Sequence, residues 1–149
     1  LRLYEAFPAV GGVAHSHSHY ATCWAQACRA IPCLGTTHAD YFYGEIPVCE
    51  ALSEEDVGNH YERAIGDSIV KAFDQRDPLE CPGVLVANHA PFAWGKTVAD
   101  AVEHARVLEE VAQLALHTLS IQPDKQPMAD HLLDKHFLRK HGDHAYYGQ

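Results

Sequence analysis

The stretch Gly11-Gly12-Val13-Ala14-His15-Ser16-His17-Ser18 places two histidines two residues apart at the end of a short apolar run. Side chains at positions i and i+2 of an extended strand leave the same face, so the two imidazoles point towards one place. Imidazoles that converge in this way are suited to binding a first-row metal ion. We therefore predict a buried strand over residues 10–17 with a pair of metal ligands at its end.

A second apolar run, Gly83-Val84-Leu85-Val86, leads to a third candidate ligand, His89, in the same way. Three neutral imidazoles that leave one coordination position open are typical of a catalytic zinc site rather than a structural one. Two other folds that use a His-x-His motif do not fit. A cupin needs a glutamate soon after the pair, where this chain has Tyr20-Ala21-Thr22-Cys23. A TIM barrel needs about 250 residues, and this chain has 149.

Composition indicates one globular domain that does not bind nucleic acid. The chain has 149 residues, of which 47% are hydrophobic, and this suffices to bury a core. Its formal net charge of −9 argues against nucleic-acid binding, which needs a surplus of lysine and arginine. No apolar run approaches the roughly 20 residues of a membrane span, and no signal peptide is evident, so we expect a cytoplasmic protein.

The cysteines indicate scattered, reduced thiols rather than a zinc or redox motif, because no two of them form a Cys-x-x-Cys pair. A cysteine nucleophile with a histidine base stays an alternative without a supporting local pattern. The cysteines are Cys23, Cys28, Cys33, Cys49 and Cys81.

Apolar periodicity and capping residues predict the helices. Residues 1–8 are typical of the last turns of an amphipathic helix that stops before Pro8, so the sequence is expected to begin inside an element. Further helices are expected over residues 20–30, over 53–73 as one helix or a pair, over 97–120 after the cap Thr97, and over 128–141 before the cap Gly142. A buried strand over 84–86 leads into residues 88–95.

The longest of these helices has a small and apolar seam that should face the core. Glu103, Arg106, Glu109 and Glu110 are expected to lie largely outside it. The seam consists of Val98, Ala101, Ala105, Leu108, Ala112, Ala115 and Leu119.

The segment Gly35-Thr36-Thr37-His38-Ala39-Asp40-Tyr41-Phe42-Tyr43-Gly44 mixes hydroxyls, an imidazole, a carboxylate and aromatic rings. Such a mixture is costly to bury unless each polar group has a partner. The segment is therefore a candidate site, although a strand with polar ends would have the same composition.

Several long stretches together resemble the class II aldolase and adducin family, specifically its epimerases. The segment over 35–44 and the terminal Ala145-Tyr146-Tyr147-Gly148-Gln149 are more specific than His-x-His, and they favour an epimerase over the sugar-phosphate aldolases that share the metal site. The other matching stretches are Tyr4-Glu5-Ala6-Phe7-Pro8, His15-Ser16-His17-Ser18, Trp24-Ala25-Gln26, Pro91-Phe92-Ala93-Trp94-Gly95-Lys96 and residues 132–142.

The resemblance implies an α/β fold of the class II aldolase type, an α/β/α sandwich in which helices flank a central, mostly antiparallel sheet. The family's domain is longer by an N-terminal segment that carries a carboxylate metal ligand and most of the phosphate-binding groups. Residues 1–149 are therefore expected to be the C-terminal two thirds of a single domain, with the sheet incomplete at its N-terminal end.

The resemblance also implies the roles of individual residues. His15, His17 and His89 would bind a divalent metal, most often Zn²⁺, with Mn²⁺ or Co²⁺ as substitutes. Asp40 and Tyr147 would form the acid–base pair. A homotetramer is implied, in which the tail and the segment that carries Asp40 reach the metal of a neighbouring subunit. The residues implied to bind substrate or support the site are Thr36, Glu62, His136 and Arg139.

The implied reaction inverts C4 of L-ribulose 5-phosphate to give D-xylulose 5-phosphate, in L-arabinose catabolism. The carbonyl of a 2-ketose acidifies the proton on C3, whereas C4 lies one carbon too far for simple deprotonation. A retro-aldol cleavage of C3–C4 leaves an enediolate that a metal can stabilise, and the released aldehyde can rotate and be attacked on its other face. The alternatives are a class II sugar-phosphate aldolase, an ascorbate-pathway 4-epimerase and a non-catalytic scaffold of the adducin type.

Overall fold

The computed structural model describes residues 1–142, 145 and 146. Within these residues, strands β1 (Gly12–His15), β2 (Val48–Cys49), β3 (Gly83–Val86) and β4 (Pro91–Gly95) form one sheet in the order β1-β4-β3-β2. β4 is antiparallel to both of its neighbours, and β2 is parallel to β3. The sheet is therefore mixed and mostly antiparallel, as the family resemblance implies.

Three strands differ from their sequence predictions. β1 covers only part of the predicted range 10–17, and neither β2 nor β4 has a counterpart among the predicted elements. β3 and β4 form a hairpin in which the Val86 amide donates to the Ala90 carbonyl at 3.0 Å. Asn88 turns the chain with a φ of 60°, which asparagine tolerates better than most residues. Pro91 occupies the first position of β4, where a strand accepts proline.

The helices that surround the sheet agree in most bounds with the predictions. Ser53 begins α4 and Thr97 begins α6, each through a reciprocal capping box with an aspartate three residues later. None of the described helices is long and apolar enough to cross a membrane. The helices are α1 (Arg2–Ala6), α2 (His19–Gln26), α3 (Thr36–Ala39), α4 (Glu54–Asn59), α5 (Tyr61–Ala72), α6 (Val98–Ile121) and α7 (Asp130–His141).

The predicted seam of α6 is correct in its middle and wrong at its start. Ala101, Leu108 and Ala112 are buried, whereas Val98 is 67% exposed. The backbone at the start of α6 lies directly against the backbone of β1. A Cβ atom added to Gly12 would lie only 2.6 Å from the Val98 Cα. This close approach leaves no room for the Val98 side chain on the buried side. Val107 also joins the core, since α6 buries a wider face than one seam.

The core lies between the sheet and these helices and includes several aromatic rings. Trp94 on β4 is fully buried and contacts Phe7 and Phe73 at ring-centroid distances of 5.5 and 5.0 Å. All five cysteines are free, as predicted. Burial raises the pKa of the Cys81 thiol to about 12, so this thiol is a packing group.

Candidate metal centre

His15, His17 and His89 converge at one edge of the sheet. His15 is the last residue of β1, His17 follows two residues later, and His89 lies in the turn between β3 and β4. One ring nitrogen from each histidine lies within 4.8 Å of the others. Since β1 pairs with β4 and places His15 opposite Phe92, the sheet register itself brings His15 next to the turn that carries His89.

Hydrogen bonds orient the ring nitrogens of this histidine triad. His15 Nδ1 lies 3.0 Å from the Pro91 carbonyl oxygen, which can only accept, so Nδ1 carries the proton and Nε2 has a free lone pair. The hydroxyl of Tyr61 lies 3.3 Å from His89 Nδ1 and holds that ring from the other side. The His15 ring also stacks on Phe92 with a centroid distance of 4.1 Å. Both Nε2 atoms are thereby directed at the same point.

The geometry and charge of the triad fit a divalent cation. The Nε2 atoms of His15 and His89 lie 3.2 Å apart. Two nitrogens bound to one tetrahedral ion at about 2.0–2.1 Å lie roughly 3.3 Å apart. Partial burial and the two neighbouring imidazoles lower the pKa of His89, which favours the neutral form that binds metals. The residues present are thus a suitable donor set for zinc or a related ion.

A cavity of about 640 Å³ adjoins the triad and provides space for a ligand. His15, His89 and Phe92 form one side of it, and Tyr61 and Glu62 from the start of α5 form another. Glu62, which sequence resemblance assigns to the site, is exposed in this cavity. The structure therefore brings Glu62 to the same cavity as two of the three histidines.

A second polar cluster forms around Asp40, where α3 packs against α7. The Asp40 carboxylate accepts hydrogen bonds from Arg139 Nη2 at 3.0 and 3.1 Å, and it lies 3.0 Å from His136 Nδ1. The Asp40 side chain is only 15% exposed. The structure thus unites three predicted site residues, which are separated by up to 99 positions in the sequence.

The remaining predicted site residues lie around this second cluster. Thr36 is the first residue of α3, and its carbonyl accepts from the Asp40 amide at 3.0 Å. Tyr147 lies outside the described residues. Its neighbour Tyr146 is tied to α7, because the Tyr146 amide donates to the Arg139 carbonyl at 2.9 Å. Among the hydrogen bonds of the described residues, none joins the Asp40 cluster to the histidine triad.

Two residues that contact these clusters are not identified as site residues by any motif in the sequence. Tyr61 contacts His89 from α5, and Lys140 lies 4.0 Å from the Asp40 carboxylate and 4.3 Å from the Tyr41 ring centroid. Both contacts depend on how helices pack. The only available hints are that Tyr61 precedes Glu62 and that Lys140 follows Arg139.

The segment over 35–44 is a short helix and turn rather than a strand. His38 is buried, and its Nε2 donates to the Gly44 carbonyl at 2.8 Å, which closes the segment upon itself. Burial lowers the pKa of His38 to about 4, so this ring is neutral at neutral pH. The buried imidazole of His38 therefore has its hydrogen-bond partner within the segment.

Residues 1–116 match the sequence profile of the Class II Aldolase and Adducin N-terminal domain. The chain belongs to this family. The match covers both elements that carry the histidine triad, and it confirms the resemblance on which the predicted fold rests.

Proteins called L-ribulose-5-phosphate 4-epimerase UlaF from Salmonella paratyphi A and Salmonella typhi are 54% identical to this chain over all 149 residues. The chain spans 65% of the length of these relatives. Solved structures support the fold independently. An L-fuculose 1-phosphate aldolase from Glaciozyma antarctica aligns over 91% of this chain and 47% of its own, with a TM-score of 0.67 and 20% identity. A counterpart from Thermus thermophilus aligns over 83% and 61%, with a TM-score of 0.57 and 21% identity.

Proposed function

We propose that this chain forms part of a divalent-metal-dependent epimerase that converts L-ribulose 5-phosphate into D-xylulose 5-phosphate. The observation that carries the proposal is the convergence of three imidazoles, each with one ring nitrogen within 4.8 Å of the others, beside an open cavity. The names of relatives that are 54% identical support the substrate and the reaction. The aldolases of known structure are only 20–21% identical, so they support the fold alone.

The triad would hold the metal, and Zn²⁺ suits its three nitrogen donors, with Mn²⁺ and Co²⁺ as alternatives. A bound cation supplies Lewis acidity that stabilises the negative charge developing on the substrate when C3–C4 cleaves. The chain's own part is orientation. The Pro91 carbonyl fixes the proton of His15 on Nδ1, and the Tyr61 hydroxyl holds the ring of His89.

Asp40 is proposed as one member of the acid–base pair and Tyr147 as the other. Cleavage of C3–C4 requires a group that removes the proton from the C4 hydroxyl, and re-addition on the other face requires a second group there. Arg139 and His136 hold the Asp40 carboxylate in a fixed position, which such a proton transfer needs. Thr36 supports the same segment through its carbonyl, and Glu62 faces the substrate cavity.

A homotetramer with sites between subunits is part of the proposal. Asp40 bonds to α7, and no described hydrogen bond connects it to the histidine triad. In a tetramer, the histidine triad of one subunit and Asp40 of a neighbouring subunit would form one site, although no described hydrogen bond joins the two groups within a single chain. The single domain over residues 1–149, the cytoplasmic location and the role in L-arabinose catabolism stay predictions. An ascorbate-pathway enzyme would carry out the same epimerisation.

The proposal is tested by incubating the Zn²⁺-loaded protein with L-ribulose 5-phosphate and separating the products. We expect D-xylulose 5-phosphate without accumulation of free glycolaldehyde phosphate. Net release of glycolaldehyde phosphate and dihydroxyacetone would indicate an aldolase instead. Absence of turnover together with absence of metal binding would favour the scaffold. An Asp40→Asn variant is the matched control, because it retains the size of the side chain and loses its basicity.

A further inference from the structure

A carboxylate from α6 caps the start of α2. Glu109 Oε1 accepts a hydrogen bond from the Tyr20 amide at 2.8 Å, and Oε2 accepts one from the Ala21 amide at 2.9 Å. These two amides belong to the first turn of α2, which has no partner for them within the helix. An anionic acceptor at this position also interacts favourably with the helix dipole. The sequence places Glu109 largely outside the buried seam of α6. Its carboxylate instead contacts the first turn of α2.

The residue that would ordinarily cap this helix does not do so. Ser18 occupies the N-cap position of α2, yet its hydroxyl makes no hydrogen bond to the first turn. The Ser18 Oγ atom is buried and has no hydrogen-bond partner within the described residues. A serine at this position normally accepts from the amide that Glu109 occupies here. The structure thus uses a distant cap, 88 or 89 positions away, in place of the local one.

The distant cap belongs to a row of contacts by which α6 fixes α2. Gln113, one turn after Glu109, donates to the Tyr20 hydroxyl at 3.3 Å. The indole nitrogen of Trp24 donates to the Ala112 carbonyl at 3.0 Å. The same helix packs against the sheet at Gly12, the first residue of β1. Helix α6 therefore serves as a common support for the strand before the histidine pair and for the helix after it.

We propose that Glu109 is a positioning residue for the metal centre, which acts by fixing the turn that carries His17. The inference rests on the proposed metal-binding role of the histidine triad. His15 is held by the sheet and by the Pro91 carbonyl. His17 lies beyond the end of β1 and directly before Ser18, so its position depends on where α2 begins. Glu109 determines that position by binding the first turn of α2.

Substitution of Glu109 by alanine leaves two amides at a part-buried helix end without their acceptor. The start of α2 then loses its anchor, and His17 is held less firmly near His15 and His89. Changes to residues that orient metal ligands typically weaken binding by about 10–100-fold. Because Glu109 acts through the backbone rather than on a ligand ring, we expect a loss of about tenfold. Glu109→Gln keeps one acceptor oxygen and should have a smaller effect.

The test is a Co²⁺ titration followed by the visible absorption of the bound ion, with amide hydrogen exchange of the start of α2 measured in parallel. Glu110→Gln removes the same charge from the neighbouring, exposed position and serves as the charge control. Thr97→Ala weakens the cap of α6 without contacting α2 and serves as the stability control. We expect weaker Co²⁺ binding and faster exchange at Tyr20 and Ala21 in Glu109→Ala, and unchanged binding in both controls.

Three outcomes would overturn the inference. If Glu109→Ala binds Co²⁺ as the unaltered protein does, Glu109 does not position the site. If Thr97→Ala loses as much affinity as Glu109→Ala, the effect comes from general destabilisation. If the unaltered protein itself binds no Co²⁺, the proposed metal centre fails and this inference fails with it. That result differs from metal binding that is insensitive to Glu109→Ala, which refutes only the inference.

If Glu109→Ala does not fold, Glu109→Gln replaces it in the same comparison.

Discussion

The stability of this protein should fall as the pH is lowered from 7 to 5 because His38 is buried in its neutral form. The residue is 4% exposed, and its ring Nε2 donates to the Gly44 carbonyl at 2.8 Å. Burial lowers the pKa of His38 to about 4, against the ordinary value of 6.5, and the hydrogen bond to Gly44 opposes this only in part. Unfolding exposes the ring and restores the ordinary pKa.

The sign and size of the effect follow from proton linkage. Because the folded pKa is the lower one, the stabilising contribution is fully present above pH 6.5 and is lost as the pH falls towards 4. The difference between the two pKa values corresponds to about 3 kcal/mol in the free energy of unfolding, of which about 2 kcal/mol is lost by pH 5. The segment that carries Asp40 should be among the first affected, since His38 holds it closed.

Urea denaturation at pH 7 and pH 5 measures this contribution, with His38→Gln as the matched variant. Glutamine has an amide donor for the Gly44 carbonyl and no proton to bind in this range. The unaltered protein should lose about 2 kcal/mol more than His38→Gln between the two pH values. Equal losses in both proteins, or an NMR titration of His38 with a midpoint near 6.5, would refute the reasoning.

Three further predictions concern the site and its support. Asp40→Asn should lower kcat by about 10²–10⁴-fold with a smaller change in KM, as measured by steady-state epimerisation, because the amide cannot accept the C4 hydroxyl proton. Tyr61→Phe removes the hydroxyl near His89 Nδ1 and should weaken Co²⁺ binding by about tenfold in a competition assay. Thr97→Ala removes one half of the capping box with Asp100 and should lower the free energy of unfolding by about 1 kcal/mol in urea denaturation.

Each of these predictions has a result that contradicts it. Turnover by Asp40→Asn at the rate of the unaltered protein would remove Asp40 from the acid–base pair. Unchanged Co²⁺ affinity in Tyr61→Phe would mean that His89 is oriented by the turn between β3 and β4 alone. An unchanged free energy of unfolding in Thr97→Ala would mean that the capping box with Asp100 does not stabilise α6.

Local signals in the sequence predicted much of the fold. Ser53 and Thr97 each stand three residues before an aspartate, and both begin helices through capping boxes. The sequence also predicts the convergence of His15 and His17, because strand geometry alone places positions i and i+2 on one face. The exposure of Val98 could not be predicted, since it results from the approach of the α6 backbone to Gly12. Local patterns do not predict strand β4, because its pairing with both β1 and β3 is a property of the whole sheet.

The polar clusters show where local patterns stop being informative. Asp40 meets His136 and Arg139 only because α3 packs against α7, and no spacing in the sequence reports that contact. The family resemblance named these residues, whereas the hydrogen bonds among them required the structure. Neither the local sequence patterns nor the family resemblance predicts the cap that Glu109 provides to α2. It depends on two helices that meet across 88 positions of the chain.

X-ray absorption spectroscopy of the Zn²⁺-loaded protein tests the central claim most directly, because it counts the imidazoles bound to the ion. The histidine triad predicts three imidazole nitrogens, from His15, His17 and His89. Their distances from zinc should be about 2.0–2.1 Å. One imidazole should be lost in His89→Asn. A spectrum with no imidazole ligands, or one that is unchanged in His89→Asn, would contradict the account.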